Sequence, residues 1–185
     1  MEEYIASIRK SLDDKNYHAA LFIALSIPDI CGKLETPDVG NGGRAKRWFS
    51  ENLGRKYTAD NLFDFVLAHE PAKAEGMPEY VRNEMTKIRN LAQITPKLFW
   101  DLRNAFLHEA SDLAGKTQVH ITHSKTHIGY VNGDILISAI GFCEDMCLAA
   151  CEWLERMKDN PEVWERISSR AKIKNSILNG MIQVE

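Results

Sequence analysis

The chain has 185 residues, 44% of them hydrophobic and 26% charged, with a formal net charge of −3, the profile of one compact domain with enough interior to fold alone. That balance excludes a protein that coats nucleic acid by bulk charge, though not one with a local basic site. There is no apolar run long enough to span a bilayer, and the opening MEEYIASIRK is amphipathic and acidic where a secretory leader is basic and then apolar, so the expectation is a soluble cytoplasmic protein with no membrane partner.

The apolar spacing is helical over most of the chain, which predicts a mainly α fold in a single domain, residues 1–185. A first helix is expected over about Glu2 to Leu12. A second, apolar on most sides, runs from about Asn16 towards Leu34, with Pro28 expected to kink it. PDVGNGGRAKRW reads as a loop that ends where Arg44 opens a short helix carrying Trp48 and Phe49. Helices follow around Ala59 to Ala68 and Glu79 to Leu91, and then Thr95 as N-cap with Pro96 at the first helical position starts the helix PKLFWDLRNAFLHEA.

After Gly115 the period switches to 2. TQVHIT and HIGYVNGDILIS alternate, and Asn132-Gly133 signals a type I′ turn, so a small hairpin is expected over about 117–138, with Tyr130 opposite Ile135 and Ile128 opposite Ile137. Ala139 to Lys158 reads as a long amphipathic helix. Another begins at Asn160-Pro161 and runs to about Lys174, ahead of a short extension or fraying tail.

The segment LRNAFLHEA, Leu102 to Ala110, poses the functional question, because it places Arg103, Asn104 and His108 on a helix otherwise suited to packing. On a helical wheel Leu98, Phe99, Leu102, Ala105 and Phe106 form the core stripe. Trp100 and Leu107 form a second strip, edged by Arg103 on one side and by Asn104 and His108 on the other. Arg103 and His108 diverge by about 140°, so one helix does not easily aim both at one atom; two copies packed antiparallel about a two-fold axis through Trp100 and Leu107 would. An Arg and a His near a helix C-terminus also complement the macrodipole, and Asn104 is equally able to bond a loop.

Arg103-Asn104-Ala105-Phe106-Leu107-His108 matches the R-x4-6-H signature of the HEPN superfamily, and IPDICGKLE, Ile27 to Glu35, also resembles a group of bacterial HEPN-like proteins of uncharacterised function. The resemblance extends over about Asn16 to Ala110 and leaves the hairpin and the helices of 139–174 unexplained. It implies a HEPN-like helical bundle that dimerises, and a metal-independent endoribonuclease with no cofactor, of the kind found in toxin–antitoxin or phage-defence systems, with RNA as substrate and an antitoxin as partner. In that role His108 would move the proton of the 2′-OH or of the leaving 5′-oxygen, Arg103 would hold the charged phosphate, and Asn104 would orient either one. The alternative implied by the same resemblance is a non-catalytic module that binds a nucleotide, RNA or a protein.

Arg44, Lys46 and Arg47 beside Trp48 form a basic turn with an aromatic, a candidate for RNA backbone contact; a solvated helix start with Trp48 in the core explains the same residues. Arg166, Arg170, Lys172 and Lys174 form a second basic strip, open to solvation or to phosphate. Cys143, Cys147 and Cys151 recur every four residues and read as small core residues, with reduced thiols and no metal. His120 points opposite to His123 and His127 by strand alternation, and all three read as solvated hairpin residues. VGNGGR lacks the Lys-Ser/Thr of a phosphate loop and reads as a flexible connector.

Overall fold

The computed structural model describes residues 1–124 and 127–170, together with the backbone pairing of Ser176–Ile177 with Ile182–Gln183. It is mainly helical with a small late sheet. In chain order the helices are α1 (Glu2–Asp13), α2 (Tyr17–Glu35), α3 (Asn41–Tyr57), α4 (Leu62–His69), α5 (Pro71–Glu75), α6 (Glu79–Lys87), α7 (Pro96–Glu109), α8 (Ala139–Met157) and α9 (Pro161–Ser168). The strands are β1 (Leu113–Ala114), β2 (Thr117–Thr122), β3 (Ile128–Val131), β4 (Asp134–Ser138), β5 (Ser176–Ile177) and β6 (Ile182–Gln183). Among the described residues no helix is long and apolar enough to cross a membrane.

The hub is α2, apolar around most of its circumference, which packs against α1, α3, α7, α8 and α9. It runs unbroken through Pro28. Its start is fixed by Asn16, whose side chain accepts the Ala19 N–H at 3.2 Å, one of the orphan donors of a helix N-terminus. A close approach of α3 to α2 depends on Gly32: a Cβ there would sit 2.9 Å from the Arg44 carbonyl oxygen. On the far side of α3, Phe49 stacks on Phe99 of α7 with centroids 4.3 Å apart. Trp48, Phe49, Phe99, Phe142 and Trp153 are all fully buried in one continuous core.

Three boundaries differ from the sequence reading. The Gly-rich stretch expected as a loop up to Arg44 is the first turn of α3, a long helix that opens at Asn41 after Gly40. The helix expected to reach Leu91 ends at Lys87, after which Ile88 is extended and Asn61 bridges Arg89. The last helix stops at Ser168; Lys172 and Lys174 lie outside the described residues. The hairpin has the expected register, Tyr130↔Ile135 and Ile128↔Ile137, with Asn132 and Gly133 both at positive φ, as the mirror-image turn requires. It belongs to a larger sheet of order β1-β2-β4-β3, in which β2 runs parallel to β4 through Val119↔Ile135 and Ile121↔Ile137. Val119, Ile128, Ile135 and Ile137 turn inward to the helical core.

Candidate functional site

Helix α7 starts as the sequence indicates, with Thr95 Oγ1 accepting the Leu98 N–H at 3.1 Å and Pro96 in the first turn. It ends at Ala110, which is left-handed, and the N–H groups of Ala110 and Ser111 both return to the Ala105 carbonyl. That ending leaves His108 exposed on the last turn, while Arg103, one and a half turns earlier, is mostly covered.

The structure brings Arg103, Asn104 and His108 together within one chain. Arg103 Nη1 donates to Asn104 Oδ1 at 3.0 Å and lies 3.1 Å from His108 Nε2. The expectation that one helix does not easily aim Arg103 and His108 at a common point is therefore corrected. The 140° divergence applies to the Cα–Cβ directions, and the long arginine side chain crosses the Asn104 edge to close it. Because a guanidinium only donates, His108 Nε2 is the acceptor in this arrangement and its ring proton sits on Nδ1.

The other end of the guanidinium meets Asp29, a residue that the sequence reading did not assign. Arg103 Nη2 is 3.7 Å from Asp29 Oδ2, while Asp29 Oδ1 pairs with Arg44 Nη2 at 2.8 Å and Nε at 2.9 Å. One carboxylate thus lies between two guanidiniums, and the surplus is positive. The signal was available, since Asp29 is the one Asp, Glu, Lys or Arg between Tyr17 and Gly32 on a helix otherwise built for burial. Arg103 is incompletely paired: its Nε is buried without an acceptor, and its guanidinium carbon lies 5.1 Å from the centre of the Trp100 ring. Gly42 makes room for that ring, since a Cβ there would come within 3.1 Å of it.

Of the basic turn, Arg44 is removed as an RNA contact. It is 9% exposed, bound to Asp29, and donates through Nη1 to the Val39 carbonyl at 3.1 Å, so its donors are used internally. Arg47 remains exposed, with Nη2 on Thr36 Oγ1 at 2.9 Å, and Lys46 is half-buried. Trp48 is in the core. Trp100 and Leu107, read as an open interface strip, are half-buried: Leu107 packs on the core and Trp100 lies against the start of α3.

A second polar cluster, unread in the sequence, joins four segments. Asp145 of α8 receives Lys56 Nζ at 2.5 Å on Oδ1, and Tyr57 OH at 2.8 Å and His127 Nε2 at 2.6 Å on Oδ2. His127 is therefore not a solvated hairpin residue; its ring lies over Gly141, where a Cβ would come within 2.2 Å of Nδ1. His120 and His123 are exposed, the first 3.0 Å from Asp134 and the second stacked on Tyr17.

His69 of α4 completes the cluster, its ring 4.9 Å from that of His127 and its Nε2–H donating to the Lys56 carbonyl at 3.0 Å. Its Nδ1 is buried with no partner. Burial first, and then the neighbouring His127 and Lys56 charges, push the His69 imidazole down to about 4. Burial alone would raise the Asp145 carboxyl, but the bonds from His127, Lys56 and Tyr57 outweigh it and hold the group below its ordinary value. Burial and the Asp145 charge raise the Tyr57 phenol.

Cys31, Cys143 and Cys147 are buried free thiols, and Cys151 is half-buried. Burial raises Cys143 to about 12 and Cys147 to about 11, which keeps them as thiols packed in the core. Among the described residues no group of three or more His, Cys, Asp or Glu is arranged to hold a metal ion. Arg166 donates to the Leu34 carbonyl at 2.6 Å, which ties α9 to the end of α2. No family model matches the chain, and neither a curated protein nor a solved structure shows a significant match to it.

Proposed function

We propose that the chain is a HEPN-type, metal-independent endoribonuclease of the cytoplasm that acts as a homodimer, of the kind found in toxin–antitoxin or phage-defence systems. Arg103, Asn104 and His108 are its reactive set. What carries the reading is the 3.1 Å approach of Arg103 Nη1 to the exposed His108 imidazole, because it joins an anion-binding fork to a ring nitrogen able to take up a proton.

The chemistry follows from the hydrogen bonds. A phosphodiester entering beside Arg103 offers the guanidinium charged oxygens, stronger acceptors than an imidazole nitrogen, so Nη1 transfers from His108 to the phosphate. His108 Nε2 then holds a free lone pair and takes the 2′-OH proton. The 2′-oxygen attacks phosphorus and the P–O5′ bond breaks. The 5′-oxygen leaves with a proton from solvent or from the equivalent imidazole of a second copy, giving a 2′,3′-cyclic phosphate and a 5′-hydroxyl. Asn104 steadies Arg103 through its 3.0 Å contact, and Asp29 holds the fork from behind. The half of Trp100 and Leu107 left uncovered by α3 and the core is where two copies would meet.

A second reading, a non-catalytic RNA- or nucleotide-binding module, is favoured by one observation: the Arg103 side chain is only 16% exposed. Purified protein incubated with mixed RNA oligonucleotides in EDTA separates the two. Cleavage with cyclic phosphate ends is expected, lowered about 10²-fold or more in His108→Ala and Arg103→Ala with little change in melting temperature. Arg103→Lys, which keeps the charge and loses the planar fork, should also lose most activity. Binding without cleavage, or alanine variants that cleave like the parent but melt several degrees earlier, would overturn the catalytic reading.

A further inference from the structure

Residues 62–87, which hold α4, α5 and α6, hang from the body of the chain rather than packing into it. Only Ala74 among them is buried, whereas α2 alone buries nine residues. Helices α5 and α6 pack on α4, and α4 rests on α3. On the side of α8 the seam stays open: Leu67 and Ala68 of α4 share with Leu148 and Glu152 of α8 the walls of a cleft of about 280 Å³. A segment with so little buried apolar surface belongs to the low-stability end of a fold.

The segment enters and leaves through one neck. Leu62 N–H donates to the Ile88 carbonyl at 3.0 Å and Asn90 N–H to the Asp60 carbonyl at 2.9 Å, while the side chains of Asn90 and Gln93 both donate to the Ala59 carbonyl, at 3.0 and 2.8 Å. These bonds hold the two ends side by side and leave what lies between them able to part from α3. Among the described residues, one hydrogen bond ties 62–87 to the body outside that neck, from His69 Nε2–H to the Lys56 carbonyl at 3.0 Å. That carbonyl lies in the last turn of α3, where it has no partner within the helix. Phe65, its ring 4.5 Å from that of His69, packs on the core beside this bond.

The same ring is the weak point of the closed arrangement. A second proton would go to Nδ1, which is buried with no acceptor. Facing it are Lys56 and Tyr57 of α3, His127 ahead of β3 and Asp145 of α8. Asp145, the anion among them, already receives Lys56, Tyr57 and His127. The closed ring is accordingly held to about 4, against 6.5 for a ring in water.

We propose that residues 62–87 are a hinged flap, latched on α3 by His69 at neutral pH and released when the ring takes up a proton, while the helical core stays folded. Release uncovers Tyr57, now 1% exposed, and the Lys56, His127 and Asp145 groups bonded around it, none of which belongs to the flap. The proposal does not depend on the ribonuclease reading. Its sign follows from linkage: the open state binds the proton more readily between pH 6.5 and 4, so lowering the pH through that window favours opening by about tenfold per pH unit, or about 30-fold at pH 5.

Hydrogen exchange of the full-length protein, read by mass spectrometry at about pH 7.5 and about pH 5 and corrected for the intrinsic effect of pH on amides, tests it. An eight-residue helix does not persist off its support, so the α4 amides report opening. In the wild type their exchange should rise about 30-fold at the lower pH while α2 and α7 stay protected. His69→Gln keeps a donor for the Lys56 carbonyl without a titrating ring and should show no such rise. An unchanged α4, an equal rise in His69→Gln, or a rise shared by α2 overturns the flap. Should His69→Gln prove loose at pH 7.5, wild-type exchange followed in steps decides instead: about tenfold per pH unit below 6.5, confined to the flap, supports a single-proton latch, and a flat or steeper course overturns it.

Discussion

At the scale of single residues, the candidate site divides into a part carried by neighbouring positions and a part carried by distant ones. Arg103, Asn104 and His108 were singled out by residue type within one segment, but their meeting in one chain was not legible, because it depends on the long Arg103 side chain crossing the 140° between the two Cβ directions. Asp29 and the Asp145 cluster were not legible either, because Tyr57 and Asp145 meet across 88 positions and no local pattern encodes that meeting. Asp29 is the testable case. Its carboxylate, 18% exposed, is the shared partner of Arg44 and Arg103. Asp29→Asn keeps an acceptor oxygen but removes the charge between two guanidiniums, and should lower stability by about 1–3 kcal/mol in urea denaturation. Wild-type stability in that variant would mean that the Val39 carbonyl alone suffices to hold Arg44.

At the scale of elements, the helical period and the caps located most helices within a few residues, and the exceptions have packing causes. The Gly-rich start of α3 reads as a loop by composition, yet small residues there let Trp100 of α7 lie against the backbone. The β3–β4 hairpin was legible from its turn, whereas the parallel pairing of β2 with β4 was not, since strand choice depends on which edge the core leaves open. Two helical glycines give opposite expectations. In general Gly→Ala inside a helix stabilises by up to about 1 kcal/mol. At Gly54 the new Cβ would meet only Ser50 Oγ at 3.6 Å and Thr58 Oγ1 at 3.9 Å, so Gly54→Ala should gain stability. At Gly32 it would press on the Arg44 carbonyl oxygen at 2.9 Å, which is backbone and cannot swing away. Gly32→Ala should therefore lose about 1–3 kcal/mol. Thermal melts of the two variants decide it, and the same sign for both would remove the close-approach argument.

At the scale of the whole molecule, the Asp145 cluster makes stability depend on pH. The unfolded chain protonates His69 near its ordinary value of 6.5, while the folded chain resists until about 4. Between those values the unfolded state binds more protons, so stability is full above the window and falls as pH is lowered through it. Asp145, held below its ordinary value of 3.8, adds a loss at still lower pH. The groups facing His69 are His127, Lys56, Tyr57 and Asp145. The melting temperature should drop between pH 6.5 and 4, and His69→Gln, whose amide can still donate to the Lys56 carbonyl, should flatten that drop; parallel slopes for the two proteins would exclude His69 as the cause. The distribution of contacts along the chain also orders its biosynthesis. Every partner of Arg103, from Asp29 to His108, precedes residue 110, whereas Lys56 and Tyr57 wait for Asp145, Glu35 for Trp153 and the Leu34 carbonyl for Arg166. With a ribosome adding about 5–20 residues per second, the face that carries Arg103 and His108 has all its own side chains in the nascent chain seconds before α8 and α9 arrive to close the core.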